Sequence, residues 1–347
     1  MQFCGKEFPL DTREIDCVNC SIDSLAPLSG LAKLRRLQLR FTDPHRDQVH
    51  SLTDLGPLEN LENLEALHIP NSQACDVGPL KGLKKLASLD LHCTRVRDLT
   101  PLRSLSSLRR LDVSNTAVDN LDALKDLRGL TKLGMNATGV RDLSPLRGLT
   151  NLQDLGVSGT PFDDLTPIAA LKAITDATRL NLDGTRLSDL SALRNATHLK
   201  ELLLFNTPVS DLRPLAHLTG LEVLGLDHTL VSDLAPLKGL NRLERLTLSG
   251  TAVTNLSALG ALANLRELDL EGTPVCDLEP LRALANLENL NLAGTLVRDL
   301  APLLGLRGLT FLDVRNTPIG EPQAAELRRA FPGLEVSTSS STGGETQ

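Results

Sequence analysis

The sequence contains no tryptophan and no tyrosine, and its seven phenylalanines bring the aromatic share to only 2% of 347 residues. A core with so few rings must be aliphatic, and leucine dominates the 41% of residues that are hydrophobic. Positive charge is not in excess either. Forty-three Asp and Glu outweigh thirty-six Lys and Arg for a net charge of −7, the wrong balance for a nucleic-acid footprint. No uninterrupted apolar run reaches the ~18 residues of a membrane-crossing helix. The N-terminal segment MQFCGKEFPLD lacks a charged stretch followed by an apolar one, so no secretory leader is expected and a cytoplasmic location follows. Catalytic signatures are missing as well: there is no GxxxxGK loop, no HExxH, no GxSxG and no GxGxxG after a strand. The expectation is a protein that is not an enzyme and carries no cofactor.

Against these absences stands one strong presence, a repeat. The segment Asp98-Leu-Thr-Pro-Leu102 has counterparts starting at positions 54, 76, 120, 142 and 164, then at 189, 211, 233, 255, 277 and 299. The step is 22 residues throughout except for one of 25, between Asp164 and Asp189. A further copy starts at Ser24, which makes thirteen units. Within the unit 98–119 the apolar positions are Leu99, Leu102, Leu105, Leu108, Leu111, Val113 and Val118. Spacing of three suits a short α or 3₁₀ turn presenting one face, and the spacing of two at Leu111-Asp112-Val113 suits a short strand. Asp98 is placed to cap the turn, with Pro101 in its first turn, where a missing N–H is harmless. Glycines at 82, 129, 148, 220, 239 and 308 share one middle slot and are expected to ease a tight turn there.

This pattern resembles the leucine-rich repeat family, specifically its 22-residue class, which includes internalins and a regulatory subunit of protein phosphatase 1. The likeness spans about residues 13–336. It implies an α/β fold: a curved right-handed solenoid with one parallel β-sheet lining the concave face and short 3₁₀ or α turns on the convex face. One slot departs from the family, which usually has Asn where this chain has Thr, from Thr94 and Thr116 through Thr295 to Thr317. A Thr hydroxyl can bond the nearby backbone in a similar way, more weakly. The resulting division is a half-repeat cap at 1–23, thirteen repeats over 24–320, a capping helix and strand over 321–336, and a disordered tail over 337–347. Leu327 and Phe331 of the capping helix are expected to face the last layer.

The six cysteines are too sparse for a disulfide scaffold. Cys17-Val-Asn-Cys20 could be half of a metal site, but the repeat register puts Cys17 at a core leucine position and Cys20 at the Thr position, so core filling is the expectation. Two insertions interrupt the period. One adds eight residues between Thr42 and Asp54, including Asp43 to His50, as a surface loop. The other adds three residues between Ile174 and Leu180, as a bulge or extra turn.

If the strands line the concave face, residues alternating with the core leucines are free for binding. Three clusters emerge. The first is apolar, Leu203, Phe205 and Val223, with Glu201, Asp227 and His228 around it; a few apolar anchors within a polar rim are typical of partner surfaces. The second is His68, Asp90, His92, Cys93 and Asp112 beside Arg110, read as an acidic patch for a basic partner segment, with a divalent-metal site as the alternative. The third is a mixed-charge group, Arg245, Glu267, Asp269, Asp313 and Arg315. The expected function is non-catalytic protein–protein recognition on the concave face by a monomer, with no nucleic-acid or membrane partner. The resemblance keeps two alternatives in view, an internalin-like surface adhesin and a regulatory subunit of a separate signalling enzyme.

Overall fold

The computed structural model describes residues 2–20, 22–40 and 51–338. The insertion at 43–50 and the tail beyond 338 lie outside the described residues. The chain divides into two compact units, 1–177 and 178–347.

The seven apolar positions of repeat 98–119 are all buried, none more than 2% exposed. They close a coil that begins with a 3₁₀ turn, Thr100–Ser104, and ends with a three-residue strand, Arg110–Asp112. Asp98 stands one residue outside the cap position, which Leu99 occupies, and its Oδ1 accepts the Thr100 N–H at 2.8 Å. The same contact recurs from Asp76 to Gly78, Asp164 to Thr166 and Asp233 to Ala235. Each strand pairs in parallel with the strand 22 residues on, slot against slot: Leu111 lies opposite Leu89 and Leu133, and Asp112 opposite Asp90 and Gly134.

The Thr column is buried from Thr94 to Thr295, and its hydroxyls bond the backbone. Thr116 Oγ1 donates to the Val113 carbonyl at 2.6 Å, and Thr251 and Thr295 reach Leu248 and Leu292 at 2.7 Å. Thr160 differs: it crosses to Met135 of the preceding coil at 2.9 Å. The residue before the Thr turns the chain through a left-handed conformation in coil after coil, for example Gly250 at φ +67 and His228 at φ +56. Glycine is favoured there because it has no Cβ to clash. The middle-slot glycines at 82, 129, 148, 220, 239 and 308 were expected to carry the tight turn, but none of them has a positive φ. The conformational demand falls one slot before the Thr instead.

One parallel sheet was expected; each unit has its own. In the first unit, seven parallel strands run from Glu14–Val18 to Asp154–Gly156, and in the second, eight run from Arg179–Asn181 to Glu335–Ser337. The first sheet stops where the 25-residue step begins. Just ahead of the added residues the chain forms a short α-helix, Lys172–Thr175, whose Ala173 N–H takes the Leu152 carbonyl at 2.9 Å. In the coil before it, Gln153 N–H donates to Thr131 ahead of the next strand; here a helix takes up the backbone instead.

The final strand follows an α-helix, Glu321–Ala330, with Pro322 in its first turn and Ala324 and Leu327 buried. Phe331, just past the helix, is half-buried. At the other end a two-stranded antiparallel hairpin, Gln2–Phe3 with Lys6–Glu7, buries Phe3 beside the turn Ala26–Leu28. Cys17 is buried at a core position, as its register requires. Cys20 is not core filling: it is bonded to Cys4, with their Cα atoms 6.0 Å apart. The bridge ties the hairpin to the first coil, a cap that the repeat register could not reveal because Cys4 lies outside it.

Closing a loop of this length restricts the unfolded chain by an amount equivalent to about 3 kcal/mol. Cys20→Ser should therefore lower the thermal midpoint, and reductant should lower the wild-type midpoint to match while leaving the variant unchanged. Equal midpoints for the two proteins without reductant would contradict the staple.

Candidate functional site

On the strand face of the second unit, residues flanking the buried leucines form rows that run from coil to coil. The row ahead of the core position reads Arg179, Glu201, Val223, Arg245, Glu267. Two ion pairs neutralise most of it, Arg179 with Glu201 at 2.9 Å and Arg245 with Glu267 at 2.5 Å. Val223 stands between them. The next row places Leu203 beside Gly225. Phe205 lies two residues further along its chain, and its ring rests over Gly225: a methyl group built on that glycine would come within 2.1 Å of the ring and 3.1 Å of Leu203. Leu203, Phe205 and Val223 are thus one half-buried apolar patch on the exposed side of the sheet. Glu201 and Asp227 border it. The His228 imidazole lies over Gly250, its Nδ1 2.4 Å from where a Cβ would be.

In the first unit, His68, Ser88, Asp90, Arg110, Asp112, Lys132 and Asp154 line a shallow hollow of about 530 Å³. These residues do not converge on a point. His68 Nε2 lies 2.8 Å from Ser88 Oγ, His92 Nε2 lies 3.3 Å from Cys93 Sγ, and Lys132 pairs with Asp154 at 2.6 Å. Among the described residues no cluster of three or more His, Cys, Asp or Glu is arranged to hold a metal ion. Burial moves two groups away from charge: it lowers the His68 pKa, helped by Arg36, Arg40 and Arg110 against Asp90, and it raises that of Asp90, helped by Asp112.

Asp313 corrects the third cluster. It is 2% exposed, and its carboxylate is gripped by both Arg315 Nε and Nη2, at 2.5–3.0 Å. Burial alone would raise its pKa, but the Arg315 hydrogen bonds win and hold it below the usual carboxylate range. A buried carboxylate satisfied by its own chain is not an exposed contact. Arg245 remains on the face, paired to Glu267, and Asp269 is half-buried beside it.

A structural rule connects the acids of both units. From the strand Ser88–Asp90 to the strand Phe311–Asp313, the residue leaving each strand has a backbone N–H that needs an acceptor. Where the residue two before it is Asp or Asn, that side chain accepts: Asp90 from His92, Asp112 from Ser114, Asn181 from Asp183, Asp269 from Glu271, Asp313 from Arg315. Where that slot holds Gly134, Gly156, Leu203 or Thr247, the preceding coil supplies the acceptor instead: Ser114 to Asn136, Asn136 to Ser158, Asp183 to Phe205, Asp227 to Ser249. The candidate acids Asp90, Asp112, Asp227 and Asp269 are therefore backbone caps first, each with a second oxygen left over. Reading the two columns together in the sequence would have found the rule. One coil breaks it: Asp227 has Gly225 two before it and Phe205 one coil back, and neither side chain can accept.

The sequence reading also passed over the slot after the Thr. There Leu230 is 64% exposed and Leu296 54%.

No family model and no curated protein matches the sequence. Solved structures do match. An internalin (inlF) from Listeria monocytogenes is 26% identical with a TM-score of 0.78, covering 87% of each chain. A leucine-rich repeat protein of Leptospira interrogans is 19% identical with a TM-score of 0.70, over 94% of this chain and 84% of that one. The leucine-rich repeat ectodomain of a receptor kinase from Arabidopsis thaliana, in complex with Casparian strip integrity factor 2, is 17% identical with a TM-score of 0.59, over 94% of this chain and 50% of that one.

Two measurements check this geometry. Asp112→Ala removes the acceptor for Ser114 and should lower stability by about 1 kcal/mol in urea unfolding, while Asp112→Asn, which keeps an acceptor, should cost little. His68 has a folded pKa below its unfolded value, so below about pH 6.5 the unfolded chain binds a proton that the folded chain refuses. Stability should fall as pH drops through that window and level off below the folded pKa. The His68 ring should titrate by NMR below the ordinary imidazole value, and a value at or above it would contradict the burial.

Proposed function

We propose that this leucine-rich repeat protein is a non-catalytic, monomeric interaction module that holds a protein partner on the strand face of its second unit, the side the family resemblance makes concave. Proteins of this fold are in general interaction modules. The observation that carries the reading here is the Phe205–Gly225 pair. Here, among the coils from Ser88 to Asp313 that follow the capping rule, it is given up: an aromatic ring stands where an acceptor belongs, and a glycine lies under the ring to accommodate it. Local rules are broken mainly where function requires it. The outcome is an apolar anchor with a charged rim, the anatomy of a binding hot spot.

A second reading concerns location, and the Cys4–Cys20 bond favours it. Disulfides persist in oxidising compartments and are rare in a reducing cytosol. The bond supports an exported protein, acting at or beyond the cell surface, over the cytoplasmic location expected from the N-terminal sequence. No helix among the described residues is long and apolar enough to cross a membrane.

Phe205→Arg should weaken partner capture by at least ~30-fold, as loss of a hot-spot anchor does, with the thermal midpoint almost unchanged. Gly225→Ala should weaken it too by lifting the ring, whereas Arg147→Glu, on an exposed turn, should not. Quantitative mass spectrometry of material captured from the source organism by each variant checks this. A protein retained equally by wild type and Phe205→Arg is not bound at the patch, and if every captured protein behaves so, the reading is wrong.

A further inference from the structure

We infer that the partner segment on this patch is an extended, basic one: an aliphatic or aromatic side chain set against Leu203, Phe205 and Val223, followed by Lys or Arg. The inference rests on the interaction reading above and goes further by giving the partner its chemistry.

It comes from how charge is distributed on the two sides of the patch. Ahead of the core position the charges cancel, Arg179 against Glu201 and Arg245 against Glu267. On the strand-exit side the acids nearest the patch have no such partner. Asp183, Asp227 and Asp269 form no ion pair among the described residues, although ion pairs are common elsewhere on the chain. Glu271, in the row of Asp183 and Asp227, accepts from the Asn291 amide at 3.1 Å and feels the Arg315 charge at the row's far end. The arginine nearest the row, Arg315, is committed to Asp313. These carboxylates also sense one another. Burial raises the pKa of Asp183 and of Asp269, and the charge of Asp227 pushes both further in the same direction.

An apolar patch flanked on one side by uncancelled negative potential selects a ligand with the complementary arrangement and repels an acidic one. Because successive coils are about 4.8 Å apart, Asp227 lies one coil from Phe205 and Glu271 three coils. At about 3.3 Å per extended residue, the basic side chain should follow the apolar anchor within about four positions. The acids are fixed in place, since Asp183, Asp227 and Asp269 are each held through Oδ1 by a backbone N–H, at 2.7, 2.8 and 2.9 Å. The field is thus preorganised and costs a partner little to engage.

The capping bonds also supply a clean variant. Asp→Asn at 183, 227 and 269 together keeps every acceptor and removes three charges. The full chain, its disulfide intact, is used to select a phage-displayed random dodecapeptide library at low salt, and enriched peptides are measured by fluorescence anisotropy. Expected are peptides with an apolar residue and Lys or Arg within about four positions. They should bind about tenfold more weakly to the triple variant and more weakly at about 300 mM salt than at 50 mM, and fail on Phe205→Arg. Enrichment without basic residues, no enrichment above the Phe205→Arg protein, or equal affinity for the triple variant would overturn the inference. Loss of native partner capture in Phe205→Arg alongside such a result leaves the interaction reading standing. Native capture that ignores Phe205→Arg removes that reading as well.

Discussion

A 22-residue coil has no inside of its own. Leu99, Leu102, Leu105, Leu108, Leu111, Val113 and Val118 gather on one side of a flattened loop, and only the same residues of the coils before and after can shield them from water. Backbone hydrogen bonds follow the same neighbour relation, since each strand pairs with the strand 22 residues away. Stability is then a property of stacking, shared between adjacent coils. The rest of the chain's features follow from this requirement: one residue type per slot, a turn to bring the chain round, and something to cover each end. The hairpin bonded through Cys4 and Cys20 covers one end of the first unit, and the helix Glu321–Ala330 with its strand completes the second.

Stacking has a second consequence. Because the leucine columns carry the packing, the residues alternating with them along each strand are released from the core. They are not released from the backbone. Each strand-exit N–H wants an acceptor, and Asp, Asn or Ser on the strand face provides it, either from the same coil or from the one before. A surface acid in such a protein therefore has a local duty before it has a partner. This changes how the strand face is to be read: the acids mark regular structure, and the informative positions are those where the acceptor is missing. Phe205 and Gly225, which together leave the Asp227 N–H without a side-chain acceptor, are such positions, and they lie together beside Leu203.

The acids that serve as caps can still act at a distance. An Asp that accepts one N–H through Oδ1 keeps its full charge, and where no arginine stands nearby that charge reaches solvent. Beside the apolar patch, the pairs Arg179–Glu201 and Arg245–Glu267 lie on one side and the unpaired Asp183, Asp227 and Asp269 on the other. Packing and capping constrain where the carboxylates sit, but leave open whether a cation is placed beside them. Arg315 beside Asp313 shows that the sheet can accommodate one.

How much of this was legible in sequence depends on how local the cause is. The coil, its seven core positions, the turn begun by Asp98 and Pro101, and the in-register parallel strands were all written in spacing, since period and apolar pattern determine them directly. The left-handed residue before each Thr was written there too, as a column mostly of Gly and Asn that also admits Cys93, Ala137 and His228. Four things were decided only by the fold. The 25-residue step ends one sheet and starts another, with the short helix Lys172–Thr175 lying between their strands in the chain. Cys20 leaves the repeat for Cys4, since a chain end can fold back across a gap that no periodic register describes. Asp313 sinks out of solvent under Arg315, although Asp269 in the same slot does not. Phe205 lies over Gly225, a contact between residues twenty apart that neither residue announces alone. Sequence determined what repeats, because repetition is a local code read coil by coil; tertiary structure decided the exceptions, because each depends on which side chains stacking brings side by side.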